Sequence, residues 1–291
     1  MGAVDWGISG ATGLYAVIGD PVRQSLLPRL MNDAFRHHGI DRAYIALPVA
    51  LNNLAQSIKA IRGFGFKGIN VTMPLKEAII ECVDDLTDEA RMVGAVNCIA
   101  ERREGLWLGT NTESVGAGLA WQSILQPHRV FIFGAGGMGR AVAVELGRRG
   151  TGEVFIANRN YERAAALCER SNAIGKTHFE PLAWEPSVWA DILAESDLII
   201  NATSLGIAGH GDLASQIPWV AVKPSAVVFD TVYEPLQTSL LTQARARRME
   251  VIEGSELLLW QAVASFAFWT SKPAPVDIMR RTLRESLSSH Y

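Results

Sequence analysis

The stretch VFIFGAGGMGRA, residues 130–141, decides the fold of this 291-residue chain. Four apolar residues, Val130 to Phe133, run straight into Gly134, and Gly134, Gly136 and Gly139 repeat as GxGxxG. An unbroken apolar run bounded by glycine reads as a strand buried on both faces, as in a parallel sheet. The residues from Gly137 to Gly150 carry a helical pattern. In such a strand–turn–helix the first glycine permits the tight turn. The second lets the backbone approach a pyrophosphate, and the third lets helix and strand pack closely. The helix start offers unpaired N–H groups and a positive dipole end to the phosphates. The spacing predicts a dinucleotide site.

The end of the next strand distinguishes the dinucleotides. A ribose hydroxyl is usually held by Asp or Glu about 20 residues past the glycines. Here EVFIAN (153–158) ends in Asn158 and Arg159, with Arg163 one helical turn on. Two guanidinium groups suit a ribose phosphate. Arginine is disfavoured at a helix N-terminus unless an anion is nearby. The cofactor read from these residues is NADP(H).

The same alternation extends outward. Downstream, a helix is expected over 161–171, strands at DLIINAT (197–203), AVVFDT (226–231) and MEVIEG (249–254), and helices over 236–248 and 255–270. Upstream, strands are expected at LYAVIG (14–19), AYIALPV (43–49), FKGINVT (66–72), AVNCIA (95–100) and LWLG (106–109). Helical stretches fall before Gly39, over 51–62, near 75–82 and 87–92, and over 113–125. Strand–helix alternation implies parallel sheets flanked by helices. The fold class is α/β: an N-terminal α/β substrate domain over residues 1–113, completed by 255–291, and a Rossmann-type domain over 114–254, with a cleft between them. Gln126, Pro127 and His128 make the connector.

Bulk properties exclude several classes. With 48% apolar and 20% charged residues the chain reads as a soluble enzyme. A formal charge of -3 leaves no nucleic-acid footprint. Asp5 and the missing basic start argue against a signal peptide. The most apolar run, 257–269, falls short of the roughly 20 residues a bilayer requires. Cys82, Cys98 and Cys168 are too scattered for a disulfide framework and read as buried thiols in a reducing cytoplasm. The six histidines show no metal spacing, so no metal is assigned.

Two further segments carry polar chemistry. NVTMPLK (70–76) puts Lys76 just past a strand stopped by Pro74. A lysine there can carry a proton or hold an alkoxide, although on spacing alone a surface lysine fits better. GTNTES (109–114) places Thr112 and Glu113 at a strand-to-helix turn, where a helix cap and a first-turn acid also explain them.

Taken with these, the chain resembles the shikimate dehydrogenase family over nearly its whole length. The matches are GxPxxxSxxP at Gly19, Pro21, Ser25 and Pro28, NVTxPxK at 70–76, AVN at 95–97 and GxNT at 109–112. They continue with GAGG at 134–137, NRxxxR at 158–163, NATSxG at 201–206, DxxYxPxxT at Asp230, Tyr233, Pro235 and Thr238, and a late Gln261. The resemblance implies hydride transfer between NADP(H) and a ring hydroxyl or ketone of a cyclic hydroxy acid. It makes Lys76 and Glu113 the catalytic pair that handles the hydroxyl proton. Ser25, Leu27, Thr72, Asn97, Tyr233 and Gln261 line the substrate. Gly134, Ala135, Gly136, Gly137, Met138, Asn158, Arg159, Arg163, Thr203, Val232 and Gly254 line the cofactor. A cytoplasmic monomer or homodimer with a small-molecule substrate, and neither nucleic-acid nor membrane partners, is implied.

Departures from the family pattern fall mainly on the substrate side. The family's aspartate after GxNT is Glu113, whose extra methylene moves the carboxylate roughly 1.5 Å, worth about a hundredfold in rate if the site is not rebuilt. The second serine of the family's SxSP is Leu27, which removes a donor to a substrate carboxylate. A smaller change lies at 254–257, where Gly-Ser-Glu-Leu replaces Gly-x-Gly-Met. The expectation is a divergent member whose best substrate is not shikimate itself. An ordinary shikimate dehydrogenase, a quinate dehydrogenase and a non-catalytic NADP-binding regulator remain alternatives.

Overall fold

The computed structural model describes residues 7–122 and 126–288. Asp5 and the expected helix end at 123–125 lie outside the described residues. The chain divides into two compact units, Met1–Thr112 with Gln261–Tyr291, and Glu113–Trp260.

The first unit runs β1 (Gly13–Gly19), α1 (Leu27–His37), β2 (Arg42–Pro48), α2 (Leu54–Gly63), β3 (Gly68–Val71), β4 (Asp85–Leu86), α3 (Asp88–Val93), β5 (Cys98–Glu101) and β6 (Trp107–Thr110). Its six-stranded sheet has the order β2-β1-β3-β5-β6-β4. β1 is parallel to β2 and β3, but β5 is antiparallel to both β3 and β6. This corrects the expectation of parallel pairing throughout. Only residues 102–106 separate β5 from β6, and a parallel crossover needs a dozen or more. The expected helix near 75–82 narrows to a 3₁₀ turn at Ala78–Cys82.

Alternation along β1 sends side chains to opposite layers. Ala16 and Ile18 join Leu54, Ile58 and Ile61 of α2 in one apolar cluster. Tyr15 points the other way, with its ring centroid 5.2 Å from Phe35 of α1 and 4.9 Å from Trp269. The Trp269 indole donates to the Ile99 carbonyl at 2.9 Å. A Cβ on Gly68 would come within 2.5 Å of that indole nitrogen, so the strand admits the ring only because residue 68 has no side chain.

The second unit begins in α4 (Thr112–Trp121) and continues with β7 (Arg129–Phe133), α5 (Gly137–Arg149), β8 (Glu153–Ala157), α6 (Tyr161–Ser171), β9 (His178–Leu182), α7 (Pro186–Leu193), β10 (Leu198–Asn201), β11 (Val227–Asp230), α8 (Ser239–Ala246) and β12 (Val251–Ile252). α9 (Gly254–Thr270) starts in this unit and passes into the first, which α10 (Val276–Ser288) completes. All five strand pairings are parallel, in the order β12-β11-β10-β7-β8-β9. Numbered within the unit this is 3-2-1-4-5-6, the doubly wound order, and the chain reverses direction across the sheet between β7 and β10.

The VFIF run is apolar on every residue because both faces of β7 are covered. Val130 and Ile132 pack with Val142 and Leu146 of α5 and Leu167 of α6. Phe131 and Phe133 pack with Trp189 of α7 and Leu240 of α8. Burial of each such side chain contributes about 1.5–3 kcal/mol. β9 and α7 were not expected. Pro181 lies inside β9, which is tolerated because β9 is an edge strand.

Cys98 and Cys168 are buried, whereas Cys82 is partly exposed, and all three are free thiols. Among the described residues no helix is long and apolar enough to cross a membrane, and no cluster of His, Cys, Asp and Glu could hold a metal ion.

Candidate active site

The loop from β7 to α5 has the conformation its glycines require. Gly134 adopts φ +106°, a region closed to most side chains. A Cβ there would lie 2.8 Å from Thr203 Cγ2 and 2.9 Å from the Ala202 carbonyl. A Cβ on Gly139 would sit 2.1 Å from the Gly134 carbonyl, so α5 rests directly on the turn. At Gly136 and Gly137 a Cβ would meet nothing within 4 Å. The first and last glycines thus serve the fold, while the middle pair leaves open space at the start of α5. Room for phosphates, with free N–H groups facing it, is what a dinucleotide needs. Ala135 is buried and Met138 is partly buried against the same core.

Asn158 ties this loop to the next. Its Oδ1 accepts from the Ala135 N–H at 3.1 Å, and its Nδ2 donates to the Asn160 carbonyl at 2.8 Å. Its side chain acts as a buckle between the loops after β7 and β8. Asn160 caps α6 by accepting from the Arg163 N–H at 3.1 Å. Arg159 and Arg163 are exposed on either side of this cap, and neither forms an ion pair among the described residues. These residues fit an NADP(H) whose 2′-phosphate is held by two guanidinium groups.

Beyond β10 and β11 a buried polar network shapes two more loops. The Asn201 Oδ1 accepts from the Thr203 N–H at 3.0 Å and the Thr203 hydroxyl at 2.7 Å. Its Nδ2 donates to Asp230 Oδ1 at 2.9 Å. Asp230 also accepts from the Val232 N–H at 3.1 Å and the Thr238 hydroxyl at 2.6 Å. Burial pushes the Asp230 carboxyl up to about 6, against the three donors that pull it down. A Cβ on Gly254 would lie 2.4 Å from the Val232 carbonyl, so the start of α9 is pressed against the same loop.

In the first unit Thr72 follows the end of β3, and hydrogen bonds join the segments that carry Lys76, Asn97 and Gln261. Thr72 lies against Gly19, where a Cβ would come within 2.3 Å of its Cγ2. The Lys76 carbonyl accepts from the Val96 N–H at 2.8 Å, and the Asn97 carbonyl from the Val71 N–H at 2.9 Å. Asn97 Oδ1 accepts from the Thr112 N–H at 2.7 Å and the Thr112 hydroxyl at 3.2 Å. Thr112 meets the Ser265 hydroxyl at 3.1 Å, and Ser265 donates to the Gln261 carbonyl at 2.9 Å. Asn70 adds bonds to the Asn97 carbonyl, Ser265 and the Tyr44 hydroxyl. This web fixes the backbones of Thr72, Lys76, Asn97 and Gln261 relative to one another. Asn97 Oδ1 is thus committed to Thr112, and among the described residues its amide N–H groups have no hydrogen bond.

Ser25 and Leu27 sit at the start of α1. The Ser25 hydroxyl oxygen accepts from the Leu27 N–H at 3.3 Å and keeps its own proton to donate. Leu27 is 8% exposed, so apolar bulk occupies the place where the family carries its second serine. Glu113, the second residue of α4, is buried. Tyr233 is exposed at the loop after β11. Its phenol is pushed up by desolvation and by the carboxylates of Glu234 and Glu113, so it is a hydrogen-bond donor at neutral pH.

Asn201, Asp230, Asn70 and Ser265 were not among the expected site residues. Their common signal is a polar side chain at or beside the end of an apolar strand, or on an apolar helix. Such a group needs a partner when buried.

A parallel 3-2-1-4-5-6 sheet with this glycine loop, joined to a second α/β unit with its own polar cluster, defines a two-domain dinucleotide-dependent dehydrogenase. Comparison with known proteins narrows the class. Residues 17–99 match the family model for the shikimate dehydrogenase substrate binding domain, 119–207 that for shikimate / quinate 5-dehydrogenase, and 254–284 that for the shikimate 5'-dehydrogenase C-terminal domain. The shikimate dehydrogenase (NADP(+)) of Thermococcus kodakarensis is 37% identical over 279 residues, covering 95% of this chain and 98% of its own. The shikimate 5-dehydrogenase of Listeria monocytogenes, solved with shikimate and NAD, superposes with TM-score 0.89 at 30% identity, over 95% of this chain and 98% of its own. The 5-ketofructose reductase of a Gluconobacter strain superposes with TM-score 0.85 at 28% identity, over 95% and 99%. The chain belongs to the shikimate dehydrogenase family.

Proposed function

We propose that this chain is an NADP(H)-dependent oxidoreductase acting on a ring hydroxyl or ketone of a cyclic hydroxy acid of the shikimate class. The reading gives the substrate to Met1–Thr112 with Gln261–Tyr291 and the cofactor to Glu113–Trp260. NADP(H), when bound, supplies or accepts the hydride. Lys76 and Glu113 handle the hydroxyl proton. Thr72, Asn97, Gln261 and Tyr233 orient the ring, and Ser25 donates to its acid group. Gly136, Gly137 and the start of α5 hold the pyrophosphate, with Arg159 and Arg163 on the 2′-phosphate.

The observation that carries this reading is the hydrogen-bonded web joining Asn70, Asn97, Thr112 and Ser265. It commits the Asn97 oxygen to Thr112, so the amide N–H groups are what Asn97 has to offer a ligand. A passive cofactor-binding regulator has no need of that arrangement.

Leu27 and Glu113 point to a substrate other than shikimate. A carboxylate against Leu27 lacks a charge-assisted hydrogen bond of about 1.5–3 kcal/mol. The Gluconobacter neighbour, named for 5-ketofructose, shares the fold, so the fold is not restricted to one substrate. An ordinary shikimate dehydrogenase is the second reading, because Glu113 still offers a carboxylate at the same helix start.

The test follows NADPH absorbance with shikimate, quinate and neutral cyclic polyols. The expected result is weak turnover of shikimate and stronger turnover of a relative with a displaced or absent acid group. Leu27→Ser combined with Glu113→Asp should then raise shikimate turnover at least about tenfold. Shikimate turnover at the level of ordinary family members supports the second reading.

A further inference from the structure

Four expected cofactor residues of the second unit, Gly134, Thr203, Val232 and Gly254, lie along one chain of contacts. Gly134 packs on Thr203, whose amide and hydroxyl both donate to Asn201. Asn201 donates to Asp230, which also receives the Val232 N–H, and the carbonyl of Val232 lies against Gly254. Its two inner members, Asn201 and Asp230, have no exposed surface. They cannot touch a cofactor, yet they set the spacing of the residues that would.

Asp230 is a costly choice for a purely structural link. A buried carboxylate without a cation destabilises the fold, and a neutral side chain of the same shape would avoid that. Among the described residues no cation meets it: its partners are Asn201, Thr238 and the Val232 backbone. Glu253 after β12 and Arg245 of α8 pair with each other at 2.5 Å. Asp212, before β11, is held by the Ser239 hydroxyl and the N–H groups of Ala214 and Ser215. Glu234 faces Tyr233. What the charge provides is strength, since hydrogen bonds to an ionised acceptor are roughly twice as strong as neutral ones.

We propose that Asp230 is a positioning residue for the dinucleotide: as a carboxylate it clamps the loops that carry Thr203 and Val232, and its protonation loosens them and weakens NADP(H) binding. The proposal rests on the reading that this unit seats NADP(H). Asp230 Oδ2, which among the described residues is hydrogen-bonded to the Thr238 hydroxyl alone, takes the proton, and that hydroxyl turns to accept it. The bonds from Val232 and Asn201 then lose their charge assistance.

The test is the Kd of NADPH, by fluorescence titration, for wild type and Asp230→Asn between about pH 5 and pH 8. The 2′-phosphate of NADPH titrates near 6, but it is common to both proteins and cancels in their ratio. At the alkaline end Asp230→Asn should bind about fivefold more weakly or worse. The gap should close towards acid, and KM for NADPH should change more than kcat. The melting temperature of the variant without cofactor should not fall. Thr238→Val removes a donor that favours the charge, so its loss of affinity should begin at higher pH than in wild type. This second variant carries the test if Asp230→Asn does not fold. A Kd ratio constant across the range, equal affinity at alkaline pH, or a loss of affinity that follows a lowered melting temperature overturns the proposal. Failure of the wild type to bind NADPH overturns both this proposal and the reading beneath it.

Discussion

Asn97 secures the first turn of the helix that carries Glu113, through two hydrogen bonds to Thr112 at 2.7 and 3.2 Å. In the proposed reading one side chain therefore has two tasks: its oxygen sets the helix start, and its amide N–H groups bind the substrate. Asn97→Ala should destabilise the protein by about 1–3 kcal/mol, because the buried Thr112 N–H loses its partner. It should also lower kcat/KM by about a hundredfold, since the groups around the ring lose their alignment. Urea denaturation and steady-state kinetics check the two effects. Asn97→Asp keeps the acceptor but buries a carboxylate, so it should recover neither the full stability nor the rate.

The glycines of the 134–139 loop divide into two kinds. A methyl at Gly139 meets a backbone carbonyl that cannot yield, so Gly139→Ala should lower the melting temperature. A methyl at Gly137 meets no protein atom. Gly137→Ala should fold as wild type yet bind NADPH at least about tenfold more weakly, because the methyl intrudes on the phosphate space. Equal melting points for the two variants would contradict this division.

Arg159 and Arg163 should set the choice between phosphorylated and unphosphorylated dinucleotide. Replacing both by Ala should weaken NADPH by about a hundredfold while changing NADH by less than about threefold. Calorimetric titration with each cofactor separates the outcomes.

Stability should depend on pH in two opposite ways. Asp230 has its folded value raised from 3.8 to about 6. Its contribution is full below the unfolded value and is lost as pH rises through about 6, on the order of 3 kcal/mol in all. Asp230→Asn should remove this slope. Asp197 is held below its usual range by Lys223 and by the N–H groups of Arg129 and His128, which outweigh its desolvation. Its contribution is present above the unfolded value and is lost in acid, and Asp197→Ala should remove that lower limb. Denaturation midpoints across the acid range check both.

The second unit was largely legible in the sequence, because its strands are buried on both faces and read as unbroken apolar runs. β9 was not, since HFEPL (178–182) contains His178, Glu180 and Pro181 and lies at the sheet edge, where burial demands less of the residues. The antiparallel β5 and β6 read as strands, but pairing direction lies in the length of a connection rather than in the strand itself. Within the site, Lys76, Asn97 and the glycines stood out through their motifs. The roles of Asn201 and Asp230 did not, because each is set by partners distant in the chain. Asn158 stood out for the cofactor, whereas the fold uses both ends of its side chain to join two loops.

α1 is packed against α10, where the Thr282 hydroxyl donates to Asp33 at 2.7 Å, and the ring of His38 meets the Pro273 carbonyl at 3.0 Å. A ribosome makes α1 before all of Glu113–Trp260 and α10 after it. The second unit is contiguous and can close as soon as it emerges, but the first must wait until α10 has been made. During that interval Tyr15 of β1 and Phe35 of α1 lack the cover of Trp269 and Phe266. The half of the molecule synthesised first is therefore the half finished last, and it is the one most dependent on protection against aggregation in the growing chain.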